Sequence, residues 1–213
     1  MEKSFWLDKW QRNEIGFHNP QAHPLLVKHF PKLGLEPGAR LFLPLCGKTL
    51  DIGWLLGQGY RVVGAELSEM AVEQLFEQLS VAPEISEHGE LKRYRAQDID
   101  IYAGDIFQLQ RELLSEVDGI YDRAALVALP ESMRREYAQH LQHLTGNAPQ
   151  LLITFDYDQT QLPGPPFCVS DDEVAQLYGD NYRLTLIDAV EVPGGLKGRC
   201  EALEKVWLVE RAE

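Results

Sequence analysis

The chain has 213 residues, of which 45% are hydrophobic, 25% charged and 9% aromatic, a composition that excludes intrinsic disorder. Twenty Lys and Arg against 33 Asp and Glu leave a formal net charge of −13, a field that repels the phosphates of nucleic acid. The densest basic clusters, Lys92-Arg93-Tyr94-Arg95 and Arg134-Arg135, form no stripe that offsets it.

At about 100 to 200 residues per domain, the length predicts one domain over 1–213. Cys46, Cys168 and Cys200 are widely spaced, odd in number and lack a CxxC, which speaks against a disulfide framework or zinc knuckle and for a reducing compartment. Met1 to Trp10 mixes charges with aromatics, and nowhere do about 18 apolar residues run together, so a soluble cytoplasmic protein without membrane contact is expected.

In chain order, Phe5, Trp6 and Trp10 with charges between them predict a short amphipathic helix over Ser4–Trp10, whose rings need something to cover. A second helix over Pro24–Phe30 gives way to a loop punctuated by Pro31, Gly34, Pro37 and Gly38. The nearly continuous apolar run Arg40–Leu45 reads as a buried parallel strand, followed by a turn at Cys46–Thr49 and a helix over Asp51–Gln58 closed by Gly59. Arg61–Glu66 is the next strand, and Ser68 caps a helix over Glu69–Leu79. Further strands are predicted at Ile99–Gly104, Gly119–Asp122 and Leu151–Tyr157, with a helix over Pro130–Leu144. Beyond a rigid Pro163-Gly164-Pro165-Pro166 loop, Ser170-Asp171-Asp172-Glu173 opens a helix, and Arg183–Val192 and Glu204–Val209 read as two strands. The alternation predicts an α/β fold: a doubly wound, mostly parallel sheet with helices on both faces and a C-terminal antiparallel pair. An N-terminal helical segment over 1–35 precedes a core over 40–213.

Ligands of open α/β sheets sit at the carboxyl ends of the strands, so the strand ends carry the candidates. Glu66 ends the second strand 19 residues after Gly47, close to the ~20 that separate a nucleotide-binding glycine turn from the carboxylate on a ribose. Gly47-Lys48-Thr49 also matches the end of a phosphate loop, which leaves a nucleotide-phosphate-binding module as an alternative. That pattern needs Gly at position 42, where Phe42 stands. Asp105 either caps a helix starting near Ile106 or, with that apolar neighbour, holds an adenine ring. Arg123, at a strand end before an apolar run, must meet an anion: Asp122, Asp105 or a ligand carboxylate. His18 with His23 and His140 with His143 lack HExxH spacing, so no metal site is expected. There is no GxSxG, and Cys46 reads as a small buried hydrophobe.

Trp6-Leu7-Asp8-Lys9-Trp10 with Ile15-Gly16-Phe17-His18, then Pro44-Leu45-Cys46-Gly47-Lys48, Val63-Gly64-Ala65-Glu66-Leu67-Ser68, Asp122-Arg123-Ala124-Ala125-Leu126-Val127-Ala128 and Pro163-Gly164-Pro165-Pro166-Phe167 together resemble the thiopurine S-methyltransferase family, from about Phe5 to Val209. The resemblance implies a class I methyltransferase that moves a methyl group from S-adenosylmethionine to the sulfur of aromatic or heterocyclic thiols. Trp10, Leu45, Glu66 and Arg123 fall on the family's cofactor positions and Asp105 and Ile106 on its adenine side. The resemblance also implies that Phe17 borders the acceptor pocket and that Arg123 is the catalytic, substrate-side arginine. The family's second acceptor-side arginine has no clear counterpart; Arg199 or Lys197 is expected to substitute. Alternative acceptors are selenium or tellurium oxyanions, halide and small thiols. The partner is then a small molecule, the chain a monomer, and the segment Ser4–Phe17 a lid over the cofactor.

Overall fold

The computed structural model describes residues 3–14 and 19–212. They fall into two compact units, 1–119 and 120–213.

The first unit opens with α1 (Lys3–Gln11) and α2 (Pro24–His29). Pro24 starts α2, and the His23 ring nitrogen accepts the Leu25 N–H as its cap. Three strands, β1 (Arg40–Leu43), β2 (Arg61–Glu66) and β5 (Ile99–Ala103), pair in parallel in the order β5-β2-β1. Their inner residues are buried almost without a break, as strands covered on both faces must be. Between them run α3 (Leu50–Gly57), capped by Thr49, and α4 (Glu69–Leu79), whose cap is Ser68 as expected. An antiparallel hairpin that the sequence reading did not anticipate, β3 (Glu84–His88) and β4 (Leu91–Ala96), extends this sheet beyond β5. Its charges are matched from other elements: Lys92 on Glu69 of α4, and Arg93 and Arg95 on Asp100 of β5. The unit closes with a short α5 (Arg111–Leu114).

β6 (Gly119–Arg123) leads into the second unit and pairs in parallel with β7 (Gln150–Tyr157) across α6 (Glu131–Thr145). α7 (Asp171–Tyr178), capped by Ser170, precedes β8 (Tyr182–Glu191) and β9 (Ala202–Arg211). β9 lies antiparallel between β7 and β8, which supplies the expected C-terminal antiparallel pair. Arg134, read from the sequence as part of a basic cluster, is buried and holds Glu173 with both forks of its guanidinium, at 2.6 and 2.9 Å, tying α6 to α7. No described helix is long and apolar enough to cross a membrane.

Candidate active site

The turn after β1 is where the first unit gathers its candidates. β1 stops at Leu43 instead of continuing to Leu45, because Leu45 takes a left-handed φ of 46° and Gly47 one of 54°. The Cys46 amide bonds back to Ala65 of β2 at 3.0 Å, so the turn folds against the end of the neighbouring strand. A Cβ on Gly47 would lie 3.1 Å from Cζ2 of Trp10, so glycine is what lets the indole lie on the turn. Gly64 does the same one layer below, where a Cβ would meet the Cys46 sulfur at 2.9 Å. The Cys46 thiol sits in that gap, and burial, with a smaller push from Glu66, raises it far above the ordinary thiol range, which suits an inert filler.

Glu66, 6% exposed, closes the turn. Its Oε2 accepts the Gly47 N–H at 2.7 Å and its Oε1 the Ser68 N–H at 2.8 Å. Burial raises the carboxyl above the usual carboxylate range, and the amides of Ser68, Gly47 and Leu67 pull against that shift. A carboxylate has about four lone-pair positions, so these backbone donors leave it acceptor capacity for a ligand hydroxyl. The same geometry disposes of a phosphate loop: a carboxylate takes the Gly47 N–H, Lys48 Nζ donates to Gln74 at 2.8 Å, and the Thr49 hydroxyl caps α3.

The end of β5 joins this cluster through the Gly104 amide, which donates to the Glu66 carbonyl at 2.8 Å. Of the readings open to Asp105, the structure shows the cap: its Oδ1 accepts the Phe107 N–H at 3.1 Å, capping a 3-10 turn over Ile106–Gln108. Its Oδ2 pairs with Lys3 Nζ at 2.7 Å, and Ile106 is buried beside it. Helix α1 therefore reaches from Asp105, through Lys3, to Gly47, through Trp10. Lys3 was missed at the sequence level because a lysine near a chain start carries no signal for a partner about a hundred residues away. Phe17 and His18 lie outside the described residues.

In the second unit, Arg123 ends β6 and is partly exposed. The next residue, Ala124, is left-handed at φ 66°. Asp122 is 0% exposed, its Oδ1 accepting the Leu126 N–H at 3.1 Å and its Oδ2 the Tyr137 hydroxyl at 2.7 Å. Burial pushes its carboxyl up to about 6, opposed by Tyr137 and by the amides of Leu126 and Ala125. Tyr137 was invisible in the sequence, where it is one more apolar position on the inner face of α6. Further along, the Phe167 amide donates to the Val127 carbonyl at 2.7 Å, and Lys197 Nζ donates to the Pro165 carbonyl at 2.6 Å. Of the two expected substitutes for a second arginine, Lys197 is thus bound to the proline loop, and Arg199 is exposed on the loop between β8 and β9. Asp156 and Asp171 flank Lys205 at 2.6 and 2.7 Å.

Comparison with known proteins gives these features a family. The family described as thiopurine S-methyltransferase (TPMT) matches residues 1–211. A thiopurine S-methyltransferase of Xanthobacter autotrophicus is 57% identical over 213 residues, all of both chains. One of Gluconobacter oxydans is 53% identical over 203 residues, covering 95% of this chain and 92% of its own. Among solved structures, a Burkholderia thailandensis 1,6-didemethyltoxoflavin-N1-methyltransferase with S-adenosylhomocysteine bound superposes with a TM-score of 0.65 at 17% identity, covering 98% of this chain and 87% of its own. A SAM-dependent methyltransferase of Anabaena variabilis gives 0.64 at 16% identity over 98% and 95%. The α/β fold is thus that of class I methyltransferases, and the chain belongs to the thiopurine S-methyltransferase family.

Proposed function

We propose that this protein methylates the sulfur of thiopurines and related aromatic thiols, as a single methyltransferase domain in a reducing cytoplasm, with S-adenosylmethionine as donor. The observation that carries the reading is the closure of the first turn: a buried Glu66 carboxylate at the end of β2, gripping the Gly47 amide beneath the Trp10 indole, in a chain that matches its family over 1–211. The residues fit the donor. A buried acceptor suits a ribose hydroxyl, and the glycine of the turn lets an indole lie beside it, an aromatic ring of the kind that attracts a sulfonium as it does other cations.

When bound, the donor would supply an activated methyl group to the acceptor sulfur, which would become a thioether as S-adenosylhomocysteine leaves as a neutral sulfide. The chain's work is to hold two reactants at attack distance and keep water away. In this reading Glu66 accepts from the ribose, Leu45 and Trp10 cover the methionine end, and Asp105 with Ile106 border the adenine. Arg123 orients the acceptor and favours its thiolate, the nucleophilic form, with Phe17 and Arg199 on the acceptor side.

The test is a transfer assay with S-[methyl-³H]adenosylmethionine against a thiopurine, thiophenol, selenite, tellurite and iodide. The reading expects the thiopurine and thiophenol to be labelled at sulfur. Labelling of the oxyanions or iodide alone would replace the acceptor class, and no transfer to any of them would remove the activity.

A further inference from the structure

We propose that Asp122 and Tyr137 act as a positioning pair for the acceptor end of the site: their hydrogen bond fixes the turn that presents Arg123 and anchors the proline loop. The inference rests on the reading of Arg123 as the acceptor-orienting residue.

The chain needs something to hold this turn. Ala124 follows Arg123 directly and has a left-handed φ of 66°, which a residue with a Cβ disfavours. What stabilises it is a fully buried carboxylate one residue before Arg123. Asp122 takes the Leu126 N–H at 3.1 Å from the far side of the turn, so the segment from Arg123 to Leu126 is pinned at both ends. The other oxygen takes the Tyr137 hydroxyl at 2.7 Å from the buried face of α6, which sets the carboxylate's orientation. On a pleated strand, neighbouring side chains leave by opposite faces, so Asp122 can be locked into the helix layer without restricting where Arg123 reaches.

The turn also reaches a second acceptor-side segment. Val127, the residue after the pinned amide, accepts the Phe167 N–H at 2.7 Å and so holds the end of the Pro163–Phe167 loop. Pro165 in that loop accepts Lys197 Nζ at 2.6 Å from the segment that carries Arg199. Arg123, the proline loop and the Lys197–Arg199 segment therefore share one root, the Asp122 carboxylate. A buried ionised carboxylate is a costly way to secure a strand end, where apolar packing serves stability as well or better. Its use here is explained by the directional hold it gives a turn with a task.

Tyr137→Phe removes one hydroxyl and keeps the ring. We expect kcat/KM for the thiol acceptor to fall by at least about tenfold, while affinity for S-adenosylhomocysteine by calorimetry stays within about twofold. In an Arg123→Met background, with residual activity read under single-turnover conditions, Tyr137→Phe should cost clearly less than it does in wild type, because the guanidinium it positions is gone and only the hold on the proline loop is left to lose. Asp122→Asn, which keeps one acceptor oxygen, repeats the measurement should Tyr137→Phe fold poorly. Wild-type acceptor kinetics in Tyr137→Phe overturn the inference. So does an equal loss in the Arg123→Met background, or a parallel loss of S-adenosylhomocysteine affinity, either of which marks a merely structural role. If Arg123→Met itself retains wild-type kcat/KM, the role of Arg123 falls and the positioning role with it. An impaired Arg123→Met beside an unimpaired Tyr137→Phe removes the pair alone.

Discussion

Two buried carboxylates do different work, and their neighbours say which. Glu66 is bound by backbone amides of its own turn, so it holds that turn together as well as serving as the proposed ribose acceptor. Glu66→Ala should therefore weaken S-adenosylhomocysteine binding by about 1.5–3 kcal/mol, the range for hydrogen bonds to a charged group, and also lower the stability of the ligand-free protein by about 1–3 kcal/mol through the stranded Gly47 and Ser68 amides. Calorimetry and urea unfolding measure the two losses separately; unchanged unfolding would mean that the turn closes without the carboxylate. Asp122 carries a pH signature instead. Its carboxyl rises from 3.8 to about 6 on folding, so between those values the folded chain holds a proton that the unfolded chain has released. This group's contribution to stability is present at low pH and is lost as pH rises toward 6, on the order of 3 kcal/mol in all. The titratable groups facing it, Tyr137 on α6 and Tyr178 on α7, are themselves pushed well above their usual range and stay neutral throughout that window. Unfolding free energies at pH 4.5 and 7 should show wild type losing ground relative to Asp122→Asn, and a constant difference would place the Asp122 carboxyl in the ordinary range.

Helix α1 is held unequally at its two ends. Lys3 is mostly exposed, and its pair with Asp105 belongs to the class of surface ion pairs worth about 0–1 kcal/mol. Trp10 is 6% exposed and lies on a turn shaped to receive it, so most of the docking energy resides there. The helix thus has a firm hinge side at the β1 turn and a weak side at Asp105, which is the arrangement a lid requires. Amide exchange of residues 3–14 should be appreciably slower with S-adenosylhomocysteine bound, and Trp10→Ala should abolish that difference while Lys3→Ala leaves most of it. Equal protection with and without the ligand would make α1 a fixed structural helix. The sequence predicted this helix from its aromatic spacing, yet the unequal anchoring was not legible: Lys3 and Asp105 have no relation in a periodicity argument, and only the folded sheet brings them together.

At the scale of the whole chain, legibility followed burial. The parallel strands were readable because burial on both faces leaves unbroken apolar runs, as in Arg40–Leu43 and Arg61–Glu66. The β3–β4 hairpin was not, because β3 is half-covered or exposed throughout, β4 buries Leu91 and Tyr94 three residues apart instead of in alternation, and its charges find partners on α4 and β5 that no local pattern announces. Glu66 was legible as a strand-end candidate because a turn and a carboxylate at that spacing recur in nucleotide-binding sheets, whereas its acceptance of the Gly47 N–H at 2.7 Å is a contact the spacing does not state. The Asp122–Tyr137 bond was not, since a tyrosine on a helix's inner face reads as core until its hydroxyl is located. From the sequence Asp122 reads as a candidate partner for Arg123; its bonds to the Leu126 N–H and the Tyr137 hydroxyl are not legible there. The placement of Trp10 has a further use. Of the four tryptophans, Trp207 is buried with its indole N–H on Thr154, Trp54 packs edge-on against Phe30, and Trp6 packs edge-on against Phe5 of its own helix. The indole on Gly47 is the one seated on the proposed cofactor turn, which makes it an optical probe built into the chain: occupation of that turn registers as a change in the emission of Trp10, with no label attached.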